Sequence, residues 1–472
     1  MIKKQYEYLA MIVLWCIAFS AIVWRYCMFS WFDVPLGYDP WLYRAISLVY
    51  THWFDNISVI WSFIRPKWLH HEPLWWIGSA LLSKLWVALD TQLWLWRYIV
   101  SVLSLVVTAY WTKYITKNSI IARWVLVIGS LSVIQWEAWN MMYFKQIIAQ
   151  MLWLWLLFFY KEKKYYTIAI ILFIMLWLHR HTSLFFSLVV ISDMIYQYYK
   201  TRKIDKNLVI SILWGIGLGM MWYIPMFSKL ILQYLYKVAQ STDGSWPQWV
   251  FFTVSEYISF SIPWILGALS YIIMMRKKEK TLLYRWVMIG LIWIATGFIN
   301  ANRQEILTDP LLIIATCIVL REYRLQYKKI IIALALWCLI RQWSYFVWYT
   351  TETKPLISSW LFHDISQIKT LVPSGATIMI EDSAYTPWIM WYTERNWISP
   401  GLSDANVRNL EQRNTRRSTS SVDKRCNLIQ NDYKKYLSGW LYFWTTDCMK
   451  TSSWCMQKII VDSAESCLFK IE

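Results

Sequence analysis

The sequence predicts an all-α polytopic membrane domain followed by a small extracytoplasmic α/β domain. Of the 472 residues, 58% are hydrophobic, and apolar runs of 16–23 residues recur along most of the chain. Helices of about that length span a bilayer. Residues 349–472, by contrast, are polar and contain no spanning run. We therefore place the membrane domain at 1–348, with an external segment at 30–92, and the soluble domain at 349–472.

Eleven spans are predicted, within a range of 11–13. They lie near 8–29, 93–112, 120–137, 144–160, 165–179, 182–199, 207–228, 254–275, 281–300, 304–321 and 328–348. Residues 73–89 are also apolar, but counting them as a further span would move every later loop to the opposite side of the membrane. We interpret them as a helix that lies on the outer surface or enters it partway. The first span lacks a small-residue cleavage site, so we interpret it as a retained span and not a removed signal peptide.

The net charge of +18 fits a membrane topology better than a nucleic-acid-binding surface. Residues 349–472 carry 14 basic and 13 acidic residues, so nearly all the excess lies in the membrane domain. It is concentrated in short clusters at 161–164, 200–206, 276–280 and 321–329. Short basic loops mark the cytoplasmic side. The prediction is a multi-pass protein of the plasma (cytoplasmic) membrane with a cytoplasmic N-terminus, an extracytoplasmic C-terminal domain and no nucleic-acid partner.

The C-terminal region has the pattern of a small α/β domain. Thr377–Ile380 and residues 458–461 are typical of short buried strands. The region also contains Cys426, Cys448, Cys455 and Cys467. In an oxidising compartment these four could form two disulfides in any of three pairings, and their spacing is not a metal signature.

Tryptophan and glycine occur in unusual proportions. The chain has 36 Trp and 13 Gly, although Gly averages about 7% of residues and is enriched in membrane helices. Trp also occupies turn-like places, as at 439–440 and 396–397. One interpretation is that many of these Trp positions are encoded by UGA codons, which the source organism reads as glycine. The other is a Trp-rich protein with large interfacial belts. No Trp is therefore assigned a binding role.

Ionisable residues recur in the predicted external segments and form a candidate site. Such groups at the ends of spans are costly unless paired or hydrated, and they often mark function. The candidate catalytic residues are Asp39 and Glu137, and the candidate substrate-binding residues are Arg303, Lys145, Arg44, His71, Glu72, Arg180 and His181. Each also has a structural alternative. Asp39 could cap an interfacial helix, Glu137 could be a solvated helix end, Arg180 could extend to lipid headgroups, and the histidines could pack.

Several of these segments resemble one class of membrane enzyme. Residues 38–44, YDPWLYR, are similar to the first-loop motif of GT-C glycosyltransferases, which include oligosaccharyltransferase catalytic subunits. Residues 71–74, HEPL, resemble the external segment before their second span, and Glu137 falls where the class often has a second acidic motif. Residues 302–303 resemble a late external Asn-Arg pair, and 386–389 the start of the soluble domain. The WWDYG motif of oligosaccharyltransferases is absent from the sequence.

The resemblance implies transfer of a sugar or glycan from a polyprenyl phosphate or diphosphate carrier to a protein, lipid or glycan acceptor. Asp39 would be the general base for an acceptor hydroxyl. Glu137 would share a divalent cation, Mg²⁺ or Mn²⁺, with Asp39 or orient the acceptor. Arg303 would bind the leaving phosphate, with Lys145 and Arg180 as second choices. Membrane lipid would surround the spans.

Two other functions fit a polytopic chain. A lipid or glycan transporter or flippase should have internal repeats and discontinuous helices near the bilayer midplane, and no repeat is evident in the sequence. A polysaccharide polymerase or ligase would centre on a large external loop between late spans. The loop at 229–253 is of modest length and has Asp243 as its sole acidic residue.

Overall fold

The computed structural model describes residues 73–140, 143–226, 254–276, 281–296 and 301–323 almost continuously. It also describes parts of 333–347, 357–398, 440–446, 456–459 and 466–471. The predicted first span, with the segment that contains Asp39, Arg44, His71 and Glu72, lies outside the described residues.

Helices make up most of the described chain. They are α1 (Pro73–Lys84), α2 (Leu89–Thr116), α3 (Ser119–Ser130), α4 (Val133–Asn140), α5 (Phe144–Lys161), α6 (Tyr165–Leu178), α7 (Arg180–Thr201), α8 (Lys206–Met220), α9 (Val254–Met275), α10 (Leu282–Ala295), α11 (Ala301–Tyr323) and α12 (Ser359–Leu371). A 3-10 turn at Met221–Met226 follows α8. Helices α2–α11 occupy the second to tenth predicted spans, except that the third predicted span is divided between α3 and α4. The eleventh predicted span, near 328–348, is described only in part.

Length and apolar character mark a few of the described helices as candidate membrane spans. Ile99–Thr116 and Glu256–Met275 are each long and apolar enough to cross a bilayer. The bent pair Ser119–Gly129 and Val133–Trp139, with an angle of 64° between its parts, is a third candidate if it counts as one span. Helices α6, α8 and α10 are apolar but shorter. The helical character of the membrane domain is thus confirmed, whereas the number of eleven spans remains a prediction.

Two of the predicted cytoplasmic clusters lie side by side. Lys163, between α5 and α6, has its Nζ atom 3.7 Å from Oδ2 of Asp205. The Tyr165 hydroxyl donates to the same carboxylate at 3.0 Å. Asp205 also caps α8, since its Oδ1 atom accepts from the Leu208 amide at 3.2 Å. The loops before α6 and before α8 therefore lie next to each other, as expected for two loops on the same side of a membrane.

Helices α6 and α8 pack closely because α8 presents glycines to α6. A Cβ atom at Gly215 would lie 2.7 Å from the Ala169 carbonyl oxygen, which is too close for any side chain. Gly219 faces Leu176 in the same way. Small residues let helix backbones approach in membranes, where apolar burial alone gives little drive for association.

Some large indoles occupy the helical core without polar partners. Trp153, Trp264 and Trp286 are at most 1% exposed. In the described part of the chain, none of their Nε1 atoms has a hydrogen-bond partner. A buried indole N–H usually finds one.

The unpaired N–H groups are consistent with glycine at these three positions in the native protein, and recoding of many Trp positions stays a prediction. Mass spectrometry of peptides from the native source should find glycine at a large share of the 36 positions. A glycine there would have no indole N–H to leave unpaired. Peptides with Trp at all 36 positions would reject the hypothesis, and the same peptides' leucines and tyrosines serve as an internal control for the sequence assignment.

The C-terminal region contains helix α12 and a five-stranded mixed sheet. The strands are β1 (Thr377–Ile380), β2 (Asn396–Ile398), β3 (Leu441–Thr445), β4 (Met456–Ile459) and β5 (Cys467–Ile471). Their order is β2-β1-β3-β5-β4, with β1 parallel to both its neighbours and β5 antiparallel to both its neighbours. The predicted strand at Thr377–Ile380 is confirmed. The second predicted strand starts two residues earlier, at Met456.

Side-chain bonds join the sheet to α12. The Ser466 hydroxyl, directly before β5, donates to buried Asp364 of α12 at 2.9 Å. Cys467 is disulfide-bonded, whereas Cys317 of α11 is a buried thiol. By internal contacts the chain divides into two compact units. One, which we call the helical unit, includes Trp94–Thr353. The other includes Trp76–Leu93 and Lys354–Glu472. The predicted domain boundary at 348 stays a prediction.

Candidate functional site

A break in a helix places one candidate catalytic residue. Helix α3 ends at Ser130 and α4 begins at Val133. Ser132 caps α4, because its hydroxyl oxygen accepts from the Gln135 amide at 3.3 Å. The spacing Ser132–Gln135 is that of a capping box, a start signal inside the third predicted span. Helix α4 carries Glu137, which is 7% exposed, so it is buried and not a solvated helix end.

A proline in α11 creates a second irregularity opposite the break. Pro310 has no amide hydrogen, so the carbonyl of Ile306 lacks its usual intrahelical donor. The Gln135 side chain supplies one, with its Nε2 atom 3.0 Å from the Ile306 oxygen. Gln150 of α5 donates to the Leu307 carbonyl at 3.4 Å. The backbone at the proline is therefore satisfied by side chains from α4 and α5.

Asp309 joins the two irregularities. It is fully buried. Its Oδ2 atom accepts from the Ser132 hydroxyl at 2.6 Å and from Gln135 Nε2 at 3.4 Å. Its Oδ1 atom is 3.5 Å from the Ser261 hydroxyl of α9. We call Ser132, Gln135, Ser261 and Asp309 the Asp309 network. It links the α3–α4 break, α9 and α11 inside the helical unit.

Glu305 lies about one turn before Asp309 on α11 and is also fully buried. Within the described residues, neither of its carboxylate oxygens has a hydrogen-bond partner. The charges near it belong to Glu256 of α9 and to Asp309. A buried carboxylate without a donor is costly, and negative neighbours add to that cost. Glu305 is therefore the least satisfied polar group around the network.

Lys145 follows Glu137 across a short connection between α4 and α5. The Tyr143 amide donates to the Ala138 carbonyl at 3.0 Å, which closes this connection. Lys145 lies in the first turn of α5 and is 7% exposed. The predicted second external turn is thus a tight link with buried charged groups on both sides.

Arg180 and His181 lie at the turn from α6 to α7. His179 caps α7, and its Nδ1 atom accepts from the Thr182 amide at 3.3 Å. The rings of His179 and His181 are 5.8 Å apart. The Arg180 guanidinium lies 5.9 Å from the ring centre of Tyr223, whose hydroxyl donates to the Leu176 carbonyl at 2.9 Å. These contacts join α6, α7 and the 3-10 turn, and they involve different elements from the Asp309 network.

The remaining candidates are described in part or lie outside the described residues. Arg303 lies in the first turn of α11, two residues before Glu305, and only its backbone is described. Asp39, Arg44, His71 and Glu72 fall in the segment that is not described. Among described residues, no group of three or more His, Cys, Asp and Glu side chains could hold a metal ion. The Asp39–Glu137 cation site therefore remains a prediction.

Solved structures share this fold at low sequence identity. The oligosaccharyltransferase AglB of Archaeoglobus fulgidus, in complex with an inhibitory peptide and a dolichol-phosphate, is 11% identical with a TM-score of 0.62. The match covers 93% of this chain and 69% of AglB. ArnT of Cupriavidus metallidurans bound to undecaprenyl phosphate is 11% identical with a TM-score of 0.59, over 98% of both chains. Apo ArnT has a TM-score of 0.61.

No protein-family model and no curated protein sequence matches the chain. The structural likeness nevertheless spans nearly its full length. The chain therefore has the fold of the GT-C glycosyltransferases, as the sequence motifs implied.

Proposed function

We propose that the chain is an integral membrane glycosyltransferase that uses a polyprenyl phosphate or diphosphate sugar donor at the extracytoplasmic face. The observation that carries this proposal is the fold shared over 98% of both chains with ArnT, whose structure contains undecaprenyl phosphate. AglB, with a dolichol-phosphate, supports the same donor class. The buried carboxylates of α4 and α11 support it further, because charged groups inside a helix bundle are costly and often mark function.

The proposed reaction forms one bond and breaks one. An acceptor hydroxyl oxygen attacks the anomeric carbon of the donor sugar and gives its proton to the Asp39 carboxylate. The bond between the anomeric carbon and the phosphate oxygen breaks, and the polyprenyl phosphate leaves with increased negative charge. Arg303 neutralises that charge with its forked guanidinium. Lys145 and Arg180 are further cations for the donor.

Glu137 orients the acceptor or shares a cation with Asp39. Its position on a short, capped helix suits either role, because α4 is held at its start by Ser132 and Gln135. A divalent ion would bind through hard carboxylate oxygens. One AglB structure contains zinc. Mg²⁺ or Mn²⁺ remains our expectation for this chain, with Asp39 and Glu137 as ligands.

One observation favours a second candidate function. The α3–α4 pair is a discontinuous helix, and discontinuous helices with buried charges occur in transporters. A lipid or glycan flippase would use such a break to move its cargo between leaflets. The two functions can be distinguished by experiment. A flippase acts only on a bilayer with two leaflets, whereas a transferase can also act in detergent.

The deciding experiment uses purified protein in detergent. Detergent-solubilised membranes of a deletion strain supply the acceptors, and a radiolabelled polyprenyl-phosphate sugar is the donor. We expect label to leave the polyprenyl lipid and appear in a new product only when the protein is added. Label that stays on the lipid in detergent, while the same protein moves it between leaflets of vesicles, would establish the flippase. Transfer from a soluble nucleotide sugar alone would reject the whole class.

A further inference from the structure

The Asp309 network joins two segments that carry different parts of the proposed machinery. Helix α4 carries Glu137, and the first turn of α11 carries Arg303. Each segment is separated from the rest of its helical run by an irregularity, the α3–α4 break in one case and Pro310 in the other. Backbone irregularities of this kind give a helix more than one possible direction. Something other than helix continuity must therefore fix the two segments relative to each other.

Hydrogen bonds connect the two segments directly. A cavity of about 20 Å³, enough for one water molecule, lies against the network and is lined by Gln135, Gln150 and Pro310 among others. Beside this cavity, Ser132 and Gln135 donate to Asp309, and Gln135 also donates to the Ile306 carbonyl. A cavity leaves shape complementarity incomplete, so these bonds carry more of the positioning.

We propose that Asp309 and Ser132 are positioning residues that hold α4 and the part of α11 before Pro310, residues 301–309, as one unit, so that Glu137 and Arg303 keep a fixed relation. This inference rests on the proposed glycosyltransferase function for its catalytic consequence. The mechanical part does not, since it concerns only two helix segments. The Ser132 hydroxyl is central because it serves both ends. It accepts from the Gln135 amide of α4 and donates to Asp309 of α11.

The chain offers a matched control. The Tyr160 hydroxyl of α5 donates at 2.6 Å to Asp193 of α7, the same distance as the Ser132–Asp309 bond. Asp193 is buried and is also paired with Arg285 of α10. Tyr160→Phe therefore removes one hydroxyl bond to a buried aspartate, as Ser132→Ala does. The residues of this control bond lie on α5, α7 and α10, and none of them belongs to the Asp309 network.

Hydrogen exchange followed by mass spectrometry tests the mechanical part of the proposal, and it does not require an active enzyme. For Ser132→Ala in detergent, we expect faster amide exchange in both 133–140 and 301–309. Tyr160→Phe should leave those two segments as in the wild type. Ser132→Thr, which keeps a hydroxyl, should restore slow exchange in both. Equal behaviour of Ser132→Ala and Tyr160→Phe in these segments, or a change in only one of them, would overturn the proposal.

Turnover reads the catalytic part. Small misplacements of catalytic groups can cost up to about 10²-fold in rate. We expect kcat to fall by about 10-fold for Ser132→Ala and further for Asp309→Asn, with donor and acceptor KM little changed. Tyr160→Phe should keep wild-type kcat, and Ser132→Thr should recover most of it. If Ser132→Ala speeds exchange in both segments but leaves the kcat of an active enzyme unchanged, the positioning role is overturned. A wild type without lipid-dependent transfer would reject the proposed function instead, and the exchange data would still decide the linkage.

Discussion

Replacing Asp39 by asparagine should lower sugar transfer by about 10²-fold or more, the contribution typical of a positioned general base. Asparagine keeps the size and most of the hydrogen bonding of the side chain, but it cannot take the acceptor proton. The protein should still fold and insert, because no large side chain is added or removed. Initial rates with a polyprenyl-phosphate sugar, normalised to the amount of folded protein, measure the effect.

Asp55→Asn is the matched control for this change. Asp55 lies in the same predicted external segment and has no assigned role in the reaction. We expect it to retain wild-type rates. A folded Asp39→Asn protein with near-normal transfer would remove Asp39 from the mechanism. Equal losses for Asp39→Asn and Asp55→Asn would indicate that the segment as a whole needs its negative charge.

Replacing Arg303 should impair use of the donor. Removal of one group that stabilises developing negative charge typically costs about 10²–10³-fold in rate, and we expect Arg303→Ala to fall in that range. Arg303→Lys keeps the charge but loses the fork that binds two phosphate oxygens, so its loss should be smaller but measurable. Turnover measured against donor concentration should change for both variants, whereas acceptor dependence should not.

Arg321→Ala is the control, since Arg321 lies in the last turn of the same helix α11. It should leave donor dependence unchanged. The structural alternative is that Arg303 pairs with Glu305 or Asp309 and fixes the helix end. Exchange of the two charges should then restore function. Equal donor dependence in wild type, Arg303→Lys and Arg303→Ala would exclude a phosphate role.

Local sequence patterns predicted the helices of the membrane domain well. The span predicted at 144–160 is α5, Phe144–Lys161, because a long apolar run ends at charged residues. The strand predicted at Thr377–Ile380 is β1, since four consecutive buried residues fit a central strand. The second strand begins two residues before its predicted start, at Met456, because apolar content gives no signal for where pairing begins. Strand pairing, and not apolar content, sets that boundary.

The break within the third span was missed although a signal was present. Apolar content predicted one helix over 120–137, whereas the chain bends after Ser130. The spacing of Ser132 and Gln135 marks a helix start, but hydrophobicity alone does not register it.

The partners of Asp309 could not be predicted from the sequence. Ser132 lies 177 residues before it, and the spacing that marks Ser132 as a helix cap gives no information about a partner so far along the chain. Contacts at such separation depend on how helices pack. Glu137 and Lys145 were identified as candidates by their charge, but their burial, 7% exposure for each, is a property of the folded chain.

The start of α4 has an electrostatic consequence for the donor. A helix N-terminus carries a partial positive charge from its aligned peptide dipoles, and it is a common site for phosphate. At α4 the Gln135 amide is capped by the Ser132 hydroxyl oxygen, and the same hydroxyl donates to the Asp309 carboxylate. A phosphate at this helix start would lie near that carboxylate and be repelled by its negative charge. The proposed donor phosphate must therefore be neutralised by side-chain cations, and the burden falls on residues such as Arg303.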